Sequence, residues 1–443
     1  MISISKLNDK TQYIFHQLNT KGVDEAALSI SLHKGFSVSF REGMMDTLEY
    51  DDAQNLSLTI FSNKKSARIS ITHLSLESLN QAIKKVLSLV KYVEPDQYSG
   101  LPEPQSLAVN DLDLSLDHPS SISPKDLANQ MTSLAHLSDK NATSNIKIST
   151  ESVQLSAHRG FIWQANTINA FQAHYPYSRY SLSCQIVAKK NTAMQMDYDY
   201  MAARSVNNLA PLSDFVEQTI TRTIKRLDAR SAISGRFPII FEARVATTLW
   251  RHLLSAIEGM AIYRQMSFLQ NAVGKTIFPN FVTIKQKPHI IQGLHSAPFD
   301  SEGVLTRSLK YVDQGRLINY VLNSYTARCL GLHTTGNAGG LYNVEVSSQG
   351  DTLEALCRQM NKGYFITELL GQGVNLVTGD YSRGAFGYWV DNGKIQYPVQ
   401  GLTIAGNLKK MFQHILSIGN DLTKYSNIST GSVLIDEMMV SAS

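Results

Sequence analysis

Cysteine and long apolar runs are both scarce in this sequence. The 443 residues contain three cysteines, Cys184, Cys329 and Cys357, which are too few and too scattered for a disulfide framework or a cysteine-rich zinc module. No apolar run approaches the roughly 18 residues needed to cross a bilayer. Charged residues in segment 1–10 stand where a signal peptide has its apolar core. We therefore expect a cytoplasmic protein with no membrane segment.

An excess of one charge is also lacking. The chain has 41 Lys and Arg against 37 Asp and Glu, a formal net charge of +4, which is small for a dedicated nucleic-acid binder. The clearest basic cluster lies near the end of a predicted helix, where cations complement the helix dipole. It comprises Arg222, Lys225, Arg226 and Arg230. Because no aromatic residues interleave with these cations, we predict no direct contact with nucleic acid.

Glycine is rare in the first half of the chain and common in the second. Of the 27 glycines, five precede residue 231 and 22 follow it. Glycine serves positive φ angles, tight turns and close backbone approach, so this shift predicts two domains of different construction. We place their boundary near 231–238, which gives an N-terminal domain at 1–230 and a C-terminal domain at 231–443.

Hydrophobic periodicity predicts an α+β fold whose N-terminal domain repeats an α-β-β-β-α unit. The first unit has predicted helices at 4–20 and 76–93 around strands near 28–32, 36–40 and 56–60. A proline-rich linker at about 95–123 precedes the second unit, with predicted helices at 123–136 and 213–227 around strands near 146–157, 160–171 and 180–188. The C-terminal domain is expected to be sheet-dominated and Gly-rich, with helices near 245–263, 352–362 and 408–418.

Common catalytic motifs are absent. None of the 12 histidines is followed by glutamate, which excludes the usual zinc-peptidase helix, where His binds zinc and Glu activates water. Phosphate-binding glycine motifs are missing too. Three weaker candidates remain, and for each a structural role is the favoured interpretation. They are Ser382 in a Gly-flanked turn, the Cys329/His333 pair, and the Asp300/Glu302 pair.

Six polar and glycine-rich segments of the second half occur in a distinctive order. They are 323–328, 335–338, 367–371, 373–387, 397–399 and 402–408. Together they resemble the TldD/PmbA family, in particular its PmbA (TldE) branch. Segments 36–43 and 98–101 also fit, so the resemblance covers nearly the whole chain. No single segment would suffice for this identification.

The resemblance implies a division of labour between two subunits. The TldD branch resembles zinc peptidases with a helical H-E-x-x-x-H motif and a later cysteine ligand. Alignment on Glu258 and the following glycine puts the two histidine positions on Trp250 and Ser255 and the glutamate position on Arg251. No cysteine follows Cys357. The resemblance thus implies no metal and no catalytic residue in this chain, and zinc in a TldD-like partner.

The same resemblance implies that the pair degrades or trims unfolded peptides, with this chain forming part of the peptide-binding cavity. Strand addition would hold an extended peptide through main-chain hydrogen bonds. The polar positions we predict for peptide contact are Arg328, Asn337, Asn375, Asp380 and Ser382, although a structural role is the stronger alternative for each. A homodimer of the isolated chain stays open.

Two other functions stay open at this point. The chain could be a self-sufficient peptidase that uses Ser382 or the Asp300/Glu302 pair. It could also regulate DNA topology, since the resembled family has been described as modulating DNA gyrase. The small net charge and the lack of a groove-reading motif disfavour direct DNA contact.

Overall fold

The computed structural model describes residues 3–442 except 24, 109–111, 128, 130–136, 138–140, 144 and 424. Its first half contains a six-stranded antiparallel sheet in the order β3-β2-β1-β4-β5-β6. The elements are α1 (Ile4–Asn19), β1 (Glu25–Arg41), β2 (Met44–Ser62), β3 (Lys65–Ile71), α2 (Leu76–Leu89), β4 (Ile146–Asn166), β5 (Gln172–Lys190), β6 (Ala193–Ala203) and α3 (Leu212–Lys225). No helix of the described chain is long and apolar enough to span a membrane.

The α+β class and the repeated pattern are confirmed. One apolar core joins α1 and α2 to β1, β2, β3 and the end of β4, and a second joins α3 to β4, β5, β6 and the end of β1. The two units meet where β1 pairs with β4 in the centre of the sheet. The predicted helix at 123–136 lies largely outside the described residues. Within it, residues 124–127 and 129 are described as helical.

The predicted strand boundaries were wrong in both units. Segments 28–32 and 36–40 form the single strand β1, and β4 runs through Gly160 to Asn166. Strands β3 and β6 were missed, although Ala67, Ile69 and Ile71 alternate in β3 and Met194, Met196, Tyr198 and Tyr200 alternate in β6. In β6 these alternating residues are exposed. The duplication was therefore predicted with the correct number of strands but with incorrect strand boundaries.

The second half contains two further sheets. Its elements are β7 (Arg230–Ser231), β8 (Gly235–Phe241), α4 (Ala243–Ala256), α5 (Gly259–Tyr263), β9 (Ile284–Gln286), β10 (Leu309–Asp313), β11 (Arg316–Leu317), α6 (Ser324–Leu330), β12 (Val344–Val346), α7 (Leu353–Met360), β13 (Gly363–Leu370), β14 (Asp380–Asp391), β15 (Lys394–Asn407), α8 (Leu408–Gln413), β16 (Ile415–Ile418), β17 (Ile428–Ser429) and β18 (Val433–Ala442). The seven-stranded sheet has the order β16-β18-β8-β13-β14-β15-β7, and the five-stranded sheet the order β11-β10-β9-β12-β17.

Pairing of β15 with β18 closes five strands of the larger sheet into a ring, which gives it a barrel-like form. Helix α4 belongs to the same apolar core as these strands. The predicted helix at 245–263 is two helices, because Glu258 has the extended backbone angles φ −68° and ψ 135°. The predicted helix at 408–418 ends at Gln413, and strand β16 follows it.

The predicted linker at about 95–123 passes between the two halves and contacts both. Leu107 forms a β-bridge with Val304 of the second half, and the Ser178 amide of β5 donates to the Leu116 carbonyl. Leu101, Leu107 and Leu116 are buried. The described part of this segment is therefore anchored to both halves at several points. The domain limits at 230 and 231 stay a prediction, and strand β7 begins at Arg230.

Candidate functional site

Helix α4 carries the three positions that the resemblance aligns with a metal helix. Trp250 has no exposed surface, and its indole Nε1 donates to Thr430 Oγ1 at 2.9 Å. Its ring lies 5.7 Å from that of Phe278. Arg251 and Ser255, four residues apart and hence on one side of the helix, are exposed. The helix thus uses Trp250 for packing and presents Arg251 and Ser255 to solvent.

Arg251 and Ser255 open into a cavity of about 450 Å³, which we call the α4 cavity. Four separate segments of the chain line it. Its polar lining residues are Arg251, Ser255, Glu258, Asn323, Asn337 and Asn427. Glu258 reaches the cavity because the chain is extended between α4 and α5. The α4 cavity is the candidate functional site.

The residues of the α4 cavity do not fit a zinc ion. Zinc in proteins is bound by imidazole, thiolate and carboxylate groups, and a catalytic site uses three of them. The cavity lining offers one such group, the Glu258 carboxylate. The buried indole of Trp250 has no ligand atom, and the Arg251 guanidinium would repel a cation. The chemistry available here is therefore binding by hydrogen bonds and charge, without a metal.

Positive charge converges on this part of the molecule. Burial, followed by the charges of Arg383 and Arg251, lowers the pKa of His252 to about 4. Burial, followed by the charges of Arg179, Arg204 and Arg251, likewise lowers the pKa of His295 to about 4. Arg179 and Arg204 come from the N-terminal sheet and its following loop, so both halves contribute cations to the region around Arg251. Of these cations, Arg251 lines the α4 cavity, where Glu258 carries the opposite charge.

Of the five residues predicted for peptide contact, Asn337 lines the α4 cavity. Its side chain is also part of a buried network, since Nδ2 donates to Gln286 Oε1 at 2.8 Å and Oδ1 accepts from the Tyr311 hydroxyl at 3.2 Å. Asn337 therefore supports the cavity wall. Its contact with peptide stays a prediction.

Arg328 is occupied by the linker. Its guanidinium donates to the carbonyl oxygens of Tyr98 at 2.7 Å, Gly100 at 2.9 Å and Leu101 at 3.1 Å. Nearby, the Tyr325 hydroxyl donates to Asp96 Oδ2 at 2.7 Å. These contacts join α6 to the linker and give Arg328 a structural role. A peptide-binding role for Arg328 stays a prediction.

Asn375, Asp380 and Ser382 lie together at the start of β14. Asn375 Oδ1 accepts from the Val377 amide, and Asp380 accepts from Thr378 Oγ1 at 2.6 Å and Asn407 Nδ2 at 3.0 Å. These two bonds hold the pKa of Asp380 below its usual value. Ser382 is exposed and lies opposite Ala405, so the neighbouring strand places no base beside it. The turn is well bonded, and its role in peptide binding stays a prediction.

The other catalytic candidates also have structural surroundings. Asp300 is 2% exposed, and its carboxylate accepts from the amides of Glu302, Val304 and Ala338. Burial, followed by the charge of Glu302, raises the pKa of Asp300 to about 7. Helix α6 ends at Leu330 with Gly331 in the left-handed conformation, before His333. Neither pair has the geometry of an exposed nucleophile with its base.

The predicted basic cluster forms contacts inside the molecule. Arg222 pairs with Asp197 at 3.0 Å and Asp199 at 2.7 Å. Arg226 pairs with Glu368 of β13 and lies over the Phe386 ring. The Arg226 contacts join the N-terminal α3 region to the C-terminal ring.

Sequence reasoning missed two groups of residues. The first is the joint contribution of Glu258, Asn323 and Asn427 to the α4 cavity, which is made by tertiary folding and has no local signal. The second is a cluster of His33, Asp51 and His158 on three adjacent strands of the N-terminal sheet. Its signal in the sequence is a histidine two residues from a glycine in both β1 and β4.

The comparisons with known proteins define the class first. Residues 234–442 match the family model described as the PmbA/TldA metallopeptidase C-terminal domain. Metalloprotease PmbA of Escherichia coli O157:H7 is 39% identical over 94% of this chain and 92% of its own length. The PmbA homologue of Haemophilus influenzae is 36% identical over 96% of this chain and 94% of its own length.

This chain belongs to the TldD/PmbA family, on its PmbA branch. The fold of the solved TldE from Thermococcus kodakarensis agrees with a TM-score of 0.83 at 18% identity, covering 98% of this chain and 100% of that one. A proposed modulator of DNA gyrase from Bacteroides thetaiotaomicron has a TM-score of 0.91 at 22% identity, with full coverage of both chains. At these identities the two structures show the fold alone.

Proposed function

We propose that this chain is a PmbA/TldE-type, non-catalytic subunit of a cytoplasmic metallopeptidase complex, in which it binds unfolded peptides and a TldD-like partner supplies the zinc. The observation that carries the proposal is the composition of α4. The helix presents Arg251 and Ser255 to a cavity, while Trp250 is buried where a metal-binding helix needs a ligand. A cavity without a metal-ligand set is suited to holding a substrate.

Two features of the α4 cavity support peptide as its ligand. Amide and hydroxyl groups, which bond main-chain groups without selecting side chains, dominate its polar lining. Glu258 offers the complementary charge for an amino group, and Arg251 for a carboxylate.

Reconstitution with a TldD-like subunit that carries H-E-x-x-x-H tests this proposal. Cleavage of an unstructured fluorogenic peptide is measured for each subunit alone and for an equimolar mixture. We expect cleavage that depends on mixing and is abolished by a zinc chelator. Cleavage by this chain alone at the rate of the mixture would overturn the proposal.

The α4 cavity is tested in the same assay by Ser255→Trp, which fills it with an indole. We expect kcat/KM of the mixture to fall by about tenfold or more, equivalent to about 1.4 kcal/mol, while size-exclusion chromatography shows the complex intact. Ser88→Trp, at an exposed position of α2, is the matched control and should keep full activity. An intact Ser255→Trp complex with unchanged kcat/KM would exclude the α4 cavity as the peptide site.

A further inference from the structure

The N-terminal sheet brings two imidazoles and a carboxylate together on one face. His33 lies on β1, Asp51 on β2 and His158 on β4, and their ligand atoms all lie within 4.8 Å of one another. His158 Nε2 is 2.9 Å from Asp51 Oδ2. The His33 and His158 rings are stacked, with centroids 4.5 Å apart and an interplanar angle of 25°.

Gly35 makes this arrangement possible. In the β1–β4 pairing, His158 lies opposite Gly35 and His33 lies opposite Gly160. Asp51 is the partner of Gly35 on the other side, in β2. A Cβ on Gly35 would come within 2.4 Å of His158 Cδ2, whereas the space above Gly160 is occupied by the Tyr177 ring of β5. Gly35 therefore reserves space for the His158 imidazole above the centre of the sheet.

We propose that His33, Asp51 and His158 form a binding site for a divalent transition-metal ion, with zinc as its representative. Two neutral imidazoles and a carboxylate are a preferred ligand set for such ions. This site is separate from the α4 cavity and does not rest on the proposed function.

The ligand atoms must draw together to accept zinc. Ligand bonds of about 2.0–2.1 Å put neighbouring ligand atoms a little over 3 Å apart, and His158 Nε2 and Asp51 Oδ2 are already 2.9 Å apart. The stacked His33 and His158 rings, with centroids 4.5 Å apart, must tilt so that each points a nitrogen at the same ion. The metal takes the place of the proton shared by that pair, which is released to solvent. The side chain of His158 is 13% exposed and that of Asp51 46% exposed, so solvent reaches the site and can complete the coordination.

The charges around the site act on a bound cation in opposite directions. Arg179 of β5 is the cross-strand partner of His158, and its guanidinium keeps its positive charge while it donates to the neutral Tyr200 hydroxyl of β6, so it opposes a bound cation. The side chain of Glu49 in β2, two residues from Asp51, lies on the same face of the sheet. Its negative charge favours a bound cation. Because β1 and β4 belong to different α-β-β-β-α units, a bound ion would link the two units at their junction.

Titration calorimetry of the full, chelator-treated chain with zinc chloride tests this proposal. We expect one equivalent to bind, and we expect His33→Gln and Asp51→Asn to weaken binding by about tenfold or more. His73→Gln, at an exposed histidine of the same domain, is the matched control and should bind as the unmodified chain does. Circular dichroism verifies that each variant is folded.

Cobalt(II) gives an independent readout. A cobalt ion held by His33, Asp51 and His158 should show visible d–d absorption in the unmodified chain and in His73→Gln, and should lose it in His33→Gln. No binding by the unmodified chain, or equally tight binding by folded His33→Gln, would overturn the proposal. Zinc binding that persists in His33→Gln and is lost in Glu258→Gln would also overturn the proposal. It would further contradict the conclusion that the α4 cavity binds no metal.

Discussion

Trp250 packs in the core at a position that the resemblance aligns with a metal ligand. Its indole fills the space between Phe278 and Thr430, so truncation leaves a cavity and removes the hydrogen bond to the Thr430 hydroxyl. We expect Trp250→Ala to lower the free energy of unfolding by about 3–5 kcal/mol, measured by urea denaturation. Arg251→Ala, one residue along on the exposed side, should change it by less than about 0.5 kcal/mol. Equal stability of the two variants would show that Trp250 is not a core residue.

His252 makes stability depend on pH. Its pKa is about 4 in the folded protein because of burial and the nearby Arg383 and Arg251, whereas an unfolded histidine has a pKa near 6.5. The unfolded state thus binds more protons between these values, and stability falls as the pH drops from about 6.5 towards 4.

Replacement of the imidazole tests this dependence. We expect His252→Phe to lose less stability than the unmodified chain between pH 7 and pH 5, as followed by urea denaturation at each pH. His73→Phe, at an exposed position, is the control and should follow the unmodified chain. An unchanged slope in His252→Phe would show that His252 does not contribute to the acid sensitivity.

At the scale of single elements, β1 depends on Gly35. A Cβ there would lie 2.2 Å from the Ala157 carbonyl oxygen of the paired strand. We expect Gly35→Ala to lower the free energy of unfolding by about 1–3 kcal/mol and to separate the stacked imidazoles. Ser31→Ala, in the same strand, should stay within about 0.5 kcal/mol of the unmodified chain. Equal stability of Gly35→Ala and Ser31→Ala would contradict the prediction, because it would show that the paired strands can accommodate a side chain at position 35.

Gly35 also shows which features of the fold could be predicted from the sequence and which could not. Apolar alternation revealed the buried face of β1. The segment 33–35 was predicted as a break between two strands, because the need for Gly35 comes from its pairing with β4. Strand β3 does have a periodic signal, because Ala67, Ile69 and Ile71 alternate. The alignment of α4 with a metal helix came from family resemblance and stays a prediction. The α4 cavity could not be predicted, because Asn337 and Asn427 reach it only through tertiary folding.

At the scale of the whole molecule, Arg328 fastens the linker. Its three hydrogen bonds to the carbonyls of Tyr98, Gly100 and Leu101 restrain a segment that contacts both halves. We expect Arg328→Ala to increase the rate of limited proteolysis within 95–123 severalfold, because local opening becomes less costly. Arg264→Ala, at an exposed arginine, is the control. Unchanged proteolysis in Arg328→Ala would contradict this structural role and would favour peptide contact as the function of Arg328.

Closure of the C-terminal ring has a consequence for folding kinetics. Strand β8, at 235–241, pairs with β18, at 433–442, so nearly the whole domain must be synthesised before these neighbours can meet. Contacts between residues so far apart in sequence carry a large loop-closure entropy and slow the search for the native state. Until β18 arrives, the edges of β8 and β15 stay open to other extended chains. We therefore expect ring closure to be the slow step in folding of this protein, and the step at which aggregation competes with it.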